Sequence, residues 1–307
     1  MHLTLRQLTL FESVARHLSY TRAAEELHLS QPAVSMQVRQ LEDSAGLPLF
    51  EKLGNRLHLT EAGREMFNYA RRIGQELQEL DDVMASLKGV QRGHLRLSVA
   101  TTANSFATRI LAAFSHRYEG TTYSLDVTNR KTLLDQLANN ETDIVIMGKP
   151  PDDVDLVVQP FMENPLVVIA HPDHPLAEHQ GTNSLEALQS ETFVVRERQS
   201  GTRIAMERFF SERGMQLKTG IETTSNSAIK HAVEAGLGLG IVSIHTLDLE
   251  LEAGALVVLD VEGFPILRHW HLVHRQGKRL PPIAQAFQEF LTGEEGNYLL
   301  KHPLLTQ

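Results

Sequence analysis

Between residues 66 and 87, apolar side chains recur as Met66, Ala70, Ile73, Leu77, Leu80, Met84 and Leu87, alternately four and three positions apart. Three heptads of this kind with charged flanks describe a long helix that offers one continuous seam to another helix. Thr60 is placed to cap it, so the helix is expected from Glu61 to about Lys88. Such a stripe can also pack on its own domain. Because the helix joins two regions of different texture, a second copy of the chain is the better source of cover. Ile73, Leu77, Leu80, Met84 and Leu87 are therefore the expected dimerisation residues.

Before this helix the chain reads as short helices with one extended interruption. After it, strand-like runs alternate with helical ones. The strands are expected at His94–Ala100, Tyr123–Thr128, Asp143–Gly148, Leu166–Ala170, Thr192–Arg196, Gly240–Ile244, Leu256–Leu259 and His269–Val273. Amphipathic stretches fall between them at Ser105–Arg117, Lys131–Asn139, Thr202–Arg213 and Ser227–Ala235. This alternation predicts parallel α/β units. Pro150-Pro151, Pro160 and Pro165 in the middle, with Pro265 near the end, suggest two crossings between two α/β subdomains with a cleft between them. The same prolines could merely end strands.

The chain contains no cysteine, which excludes disulfides, thiolate metal sites and cysteine nucleophiles. No apolar run approaches the ~20 residues that cross a bilayer, and residues 1–6 lack a signal-peptide core, so a cytoplasmic protein without membrane partners is expected. The net charge of −9 at first argues against nucleic acid. Its distribution removes that objection. Residues 1–92 carry 11 Lys and Arg against 12 Asp and Glu, whereas residues 93–307 carry 18 against 26.

Residues 18–35 read as two short helices about three residues apart. Thr21 or Ser19 can cap the first, and Ser30 the second, with Pro32 in its opening turn. Ala24 and Leu27 supply the apolar side of the first helix; Val34, Val38 and Leu41 supply that of the second. This is the arrangement of a helix-turn-helix, although a generic helical hairpin would share it. With Val34, Val38 and Leu41 inward, Pro32, Ser35, Met36 and Arg39 face outward and Gln31 occupies the exposed N-terminal end. Amide, hydroxyl and guanidinium groups there suit base edges or phosphates in a major groove. Gly54-Asn55 then joins two short alternating runs as a hairpin, a wing whose Lys52 or Arg56 could touch phosphate or the minor groove. With Arg22 from the first helix, these residues form the expected DNA-binding set.

The segments Leu5-Arg6-Gln7-Leu8, Ala23-Ala24, Leu29-Ser30-Gln31-Pro32-Ala33-Val34-Ser35, Leu41-Glu42, Gly46-Leu47-Pro48-Leu49-Phe50 and Leu59-Thr60-Glu61-Ala62-Gly63 closely resemble LysR-type transcriptional regulators. Within that family the chain looks most like regulators of carbon-fixation (RuBisCO) operons. That resemblance is carried by Asn129-Arg130, Ile146 to Pro151, Ser200-Gly201-Thr202-Arg203, Ser225-Asn226 and Ala228-Ile229-Lys230. It implies an α/β chain with an N-terminal winged helix-turn-helix, a long linker helix and a periplasmic-binding-protein-like region of two α/β subdomains. The corresponding spans are 1–60, 61–90, 93–162 with 267–300, and 163–266. It also implies double-stranded DNA, self-association as a dimer of dimers (a homotetramer) and RNA polymerase as partners, with no cofactor. Met36 stands where many members carry Arg, which shifts load to Arg39. A regulon in sulfur or amino-acid metabolism is the alternative within the family. A small-ligand binding module without a DNA role is the alternative outside it.

In such a fold a ligand sits where strands end and helices begin, because free amides there attract anions. Thr101, Thr102 and Asn104 follow the first strand. Ser200, Thr202 and Arg203 enter a helix, and Ser225 and Asn226 precede another. Asn129, Arg130, Gly148 and Lys149 follow the second and third strands. Each group alone is ordinary capping chemistry; together they make the expected effector site for a small anionic or phosphorylated metabolite. The resemblance implies sugar phosphates, phosphoenolpyruvate or NADPH as candidates, and the residues do not separate them.

Enzyme and metal chemistry are poorly supported. Ser227-Ala228-Ile229-Lys230 matches S-x-x-K, but Lys218-Thr219-Gly220 precedes it instead of following it. Gly236 to Gly240 lies between a helix and a strand, the wrong polarity for a dinucleotide loop and the right one for a helix C-cap. His269 and His271 share one strand face, and His171 and His174 fall in a loop. Neither pair makes a metal site.

Overall fold

A computed structural model describes residues 3–54, 56–87, 93–294, 296 and 300; the side chains of residues 79, 82, 83 and 85–87 lie outside that description. Asn55 of the expected turn, the Leu87 side chain and residues 88–90 of the expected linker fall outside it as well. The chain divides into two compact units, Met1–Met84 and Ala85–Gln307.

The first unit comprises α1 (Leu5–His17), α2 (Tyr20–Glu26), α3 (Gln31–Ala45), the hairpin strands β1 (Phe50–Leu53) and β2 (Arg56–Leu59), and α4 (Glu61–Leu87), which runs through its end. Val34, Val38 and Leu41 are completely buried against Phe11, Val14, Ala23 and Ala24. The apolar period of α3 thus determines which side of that helix is left outside. Ser19, not Thr21, caps α2. Ser30 stands at the N-cap of α3 but its hydroxyl makes no capping bond, and Pro32 brings no N–H to that first turn. Glu42 Oε1 accepts the Leu49 and Phe50 amides at 2.8 and 3.1 Å and ties the hairpin to α3. Thr60 caps α4 through the Gly63 amide at 3.0 Å. Gly63 is required there, since a methyl group would overlap the Leu49 carbonyl.

The stripe on α4 divides in two. Met66, Ala70 and Ile73 pack on the core of their own unit, while Leu77, Leu80 and Met84 stay 38%, 54% and 49% exposed. Ile73 is thus half-buried against the module core, while Leu77, Leu80 and Met84, expected beyond it at the dimer seam, face outward.

The second unit begins with β3 (His94–Ala100), α5 (Asn104–Arg117), β4 (Thr122–Thr128), α6 (Arg130–Ala138), β5 (Ile144–Met147) and β6 (Leu156–Glu163). It continues with β7 (Leu166–Ala170), α7 (Pro175–Glu178), α8 (Leu185–Gln189), β8 (Thr192–Arg196), α9 (Gly201–Ser211), β9 (Lys218–Thr223), α10 (Asn226–Glu234), β10 (Leu239–Ser243), α11 (Asp248–Glu252) and β11 (Val257–Leu259). It closes with β12 (His269–Arg275) and α12 (Pro282–Thr292). Two five-stranded sheets result, ordered β4-β3-β5-β12-β6 and β11-β7-β10-β8-β9.

Each sheet is mixed, not parallel throughout. β12 runs antiparallel to β5 and β6, and β7 antiparallel to β10 and β11. The reason is topological: a strand entering a lobe from the crossing starts where that lobe's parallel strands end. The two crossings lie side by side, with the Asn164 amide donating to the Arg268 carbonyl at 2.7 Å and Leu166 and Ile266 exchanging bonds at 3.0 and 2.9 Å. Pro165 and Pro265 do fall at the crossings. Pro160 instead sits within edge strand β6, the kind of strand that tolerates proline, and Pro150-Pro151 follow β5. β6 and β9 have no counterpart among the expected strands; both are edge strands without a clean apolar alternation.

Candidate functional site

On α3, Gln31, Pro32, Met36 and Arg39 are exposed and Ser35 is half-buried; Arg22 on α2 and Lys52 and Arg56 on the hairpin are exposed too. Among the described residues none of these four cations is held in an ion pair. They keep their donors free for an incoming anion. Glu26 ties α2 to α1, taking Arg16 Nη2 at 2.7 Å, His17 Nε2 at 2.5 Å and the Ser13 hydroxyl at 3.2 Å. Arg16 and then His17 hold the Glu26 carboxyl down to about 2.

The second site lies in a cleft between the two sheets of the second unit. Strands β3, β4, β5 and β8 all end there and α6 and α9 begin there. Thr101, Thr102, Asn129, Arg130, Gly148, Ser200 and Thr202 of the expected set line it. Asn129 accepts the Thr132 amide at 3.0 Å, and Ser200 the Thr202 amide at 3.3 Å, so both cap their helices at the cleft edge. Arg130 Nη1 donates to the Lys149 carbonyl at 2.7 Å, which aims the guanidinium inward.

Five expected residues are not brought into the cleft. Asn104 is exposed at the start of α5. The Lys149 ammonium turns outward to Asp152 at 2.9 Å. Arg203, the third residue of α9, lies on the far side of the helix, where its Nε meets Glu207 at 2.6 Å beside a separate groove. Ser225 caps α10 through the Ala228 amide at 3.4 Å. Asn226 is buried behind the cleft and accepts Arg196 Nη1 at 3.0 Å.

Three residues outside the expected set matter more. Arg268 comes from the returning crossing, and its Nη2 lies so close to Gly148 that any side chain there would collide; a methyl on Gly201 would stand 3.3 Å away. The guanidinium is thus wedged between glycines of the two lobes. Burial, then the charges of Arg130 and Arg208, push Arg268 down to about 10, and burial also lowers Arg130. Both remain cationic at neutral pH. Among the described residues, neither is paired with a carboxylate. Asn164, 2% exposed, lines the floor with an unpartnered Oδ1. Arg196, at the end of β8, reaches across to Thr101 Oγ1 at 3.3 Å. None of the three belongs to a local motif, and only their positions at strand ends or crossings could have pointed to them. Two like charges brought together in a half-buried cleft strongly favour a bound anion.

Among the described residues no cluster of three or more His, Asp or Glu could hold a metal, and no helix is long and apolar enough to cross a membrane. His269 and His271 approach each other at 6.5 Å between ring centres, with Trp270 buried on the opposite side.

Residues 5–64 match the family described as bacterial regulatory helix-turn-helix protein, lysR family, and residues 88–295 match the LysR substrate binding domain. The chain belongs to the LysR family. A RuBisCO operon transcriptional regulator of Allochromatium vinosum is 60% identical over 96% of this chain and 97% of its own. The CcmR regulatory domain of Synechocystis PCC6803, solved in complex with 2-PG, is 40% identical, covers 68% of this chain and 98% of its own, and superposes with a TM-score of 0.63. Full-length CbnR complexed with target DNA covers 94% of this chain and 98% of its own at 21% identity, with a TM-score of 0.70, a likeness of fold. This LysR-family chain is therefore a DNA-binding transcriptional regulator with an effector domain, and its relatives are regulators, not enzymes.

Proposed function

We propose that this protein controls carbon-fixation genes, acting in the cytoplasm as a homo-oligomer whose C-terminal cleft binds a short phosphorylated acid of the 2-phosphoglycolate type. The observation that carries the ligand reading is the pair Arg130 and Arg268, half-buried, mutually repelling and without a carboxylate partner among the described residues. The N-terminus of α9 adds free amides beside them. The regulon is supported by the 60% identity to a RuBisCO operon regulator, and the ligand by the 2-PG complex of the Synechocystis domain. Gln31, Ser35 and Arg39 would read the major groove, with Lys52 and Arg56 on phosphate or the minor groove. Leu77, Leu80 and Met84 would meet a second copy. A ligand would act by binding one lobe arrangement more tightly than another and thereby shifting how the DNA-binding units are presented.

The test is footprinting of the full-length protein on DNA upstream of the carbon-fixation operon during titration with 2-phosphoglycolate. The expected result is a protected operator whose pattern or affinity changes with ligand in the wild-type protein and not in Arg268→Gln. No operator protection overturns the regulon, and an equal ligand response of R268Q overturns the cleft.

A further inference from the structure

Glu197 is a carboxylate in a cleft that otherwise gathers cations. It follows β8 directly and grips its neighbour Arg196 through two charge-assisted bonds, Nε to Oε2 at 2.8 Å and Nη2 to Oε1 at 2.9 Å. Arg196 is 3% exposed; its Nη1 is used by Asn226 and its Nη2 is shared with Thr101. Four of this guanidinium's interactions are therefore satisfied within the protein, and its charge is cancelled where it stands. The Glu197 side chain keeps 21% of its surface and lines the cleft beside Ser200 and Thr202, so a bound anion feels it directly. Arg130 and Arg268 have no such counter-charge among the described residues.

We infer that Glu197 sets the charge class of the ligand: by cancelling Arg196 it leaves two free guanidiniums, which suits short phosphorylated acids and disfavours bisphosphates. This inference rests on the cleft being the anion site proposed above. Holding Arg196 in place is a task an amide could share, because Gln retains a carbonyl acceptor. Cancelling its charge is a task only a carboxylate performs. Replacing Glu197 by Gln adds one net positive charge to the cleft, and the attraction so gained rises with the charge of the ligand.

The experiment is titration calorimetry of the full-length protein, in magnesium-free buffer, with inorganic phosphate, 2-phosphoglycolate and 2,3-bisphosphoglycerate in order of rising charge. The wild-type protein is expected to prefer 2-phosphoglycolate to 2,3-bisphosphoglycerate. Glu197→Gln should gain about tenfold on the bisphosphate and little on phosphate, with a steeper loss of affinity as salt is added. Glu197→Asp, which keeps the charge, should retain the wild-type order of preference. A Glu197→Gln protein that changes all three affinities by one common factor overturns the inference. So does a Glu197→Asp protein that behaves like Glu197→Gln. Binding of none of the three by the wild-type protein overturns the anion cleft itself, and this inference with it.

Discussion

The cations of the α3 face and those of the cleft are the same residue types doing opposite kinds of work. Arg22, Arg39, Lys52 and Arg56 are exposed, so on the proposed reading each would add a modest, salt-screened increment to DNA affinity. Arg130 and Arg268 are half-buried and repel one another, so in the proposed anion site each would matter only with the other and with the ligand that relieves them. On that reading, losing one exposed cation would weaken binding by degrees, whereas losing one buried cation would remove a site. What separates the two regions is solvent, not sequence chemistry.

The largest effect should come from behind the DNA face instead of on it. Leu41→Ala, at a completely buried position, should destabilise the first unit by about 2–5 kcal/mol in denaturant unfolding. A smaller loss than that of an exposed contact would mean that α3 is not held by its buried stripe. Gln31→Ala should cost ~1–3 kcal/mol of operator affinity and relax base preference at one position, measured by titration of operator variants. A uniform loss across sequences would make Gln31 a phosphate contact.

Gly148→Ala should displace Arg268 and weaken 2-phosphoglycolate binding by about tenfold, a ~1.4 kcal/mol effect, with the melting temperature nearly unchanged. Unaltered affinity would show that the guanidinium need not sit between the two glycines. Arg56→Ala should lower the slope of log affinity against log salt by about one unit. A slope that does not move removes Arg56 from the DNA interface and blurs the contrast between exposed and buried cations.

The smallest effect is on acid stability. Glu26 is held at about 2, below its ordinary 4.5, so its contribution is fully present above pH 4.5 and is lost as pH falls towards 2. Its carboxylate is 40% exposed, and solvent screening limits the effect to below about 1 kcal/mol. Glu26→Gln should flatten the pH dependence of unfolding in that window, and an unchanged acid slope would remove Glu26 as its source.

The outward side of α3 could be read from residues 31–39 alone because those residues ride on one helix. Once Val34, Val38 and Leu41 are buried, the helical period exposes Pro32, Met36 and Arg39. The cleft was legible only where it uses the same local logic. Thr101, Asn129, Ser200 and Thr202 stand at strand-to-helix turns and were found. Arg203 and Lys149 stand at such turns too, but their side chains leave by the other side, to Glu207 and Asp152. The long stripe on α4 carried two signals in one pattern, module packing up to Ile73 and exposed positions at Leu77, Leu80 and Met84.

By itself, then, the amino-acid order determined the helix-turn-helix with its outward residues, the split between a near-neutral first part and an acidic second part, and the alternation that builds two sheets. These follow from interactions among residues within a few turns or strands of each other, where period and capping suffice. Only the tertiary structure decided that Asn164, Arg196 and Arg268 join Arg130 in one cleft. Their meeting depends on two crossings and on β12 returning antiparallel to its sheet. Contacts across more than a hundred residues leave no local period to read.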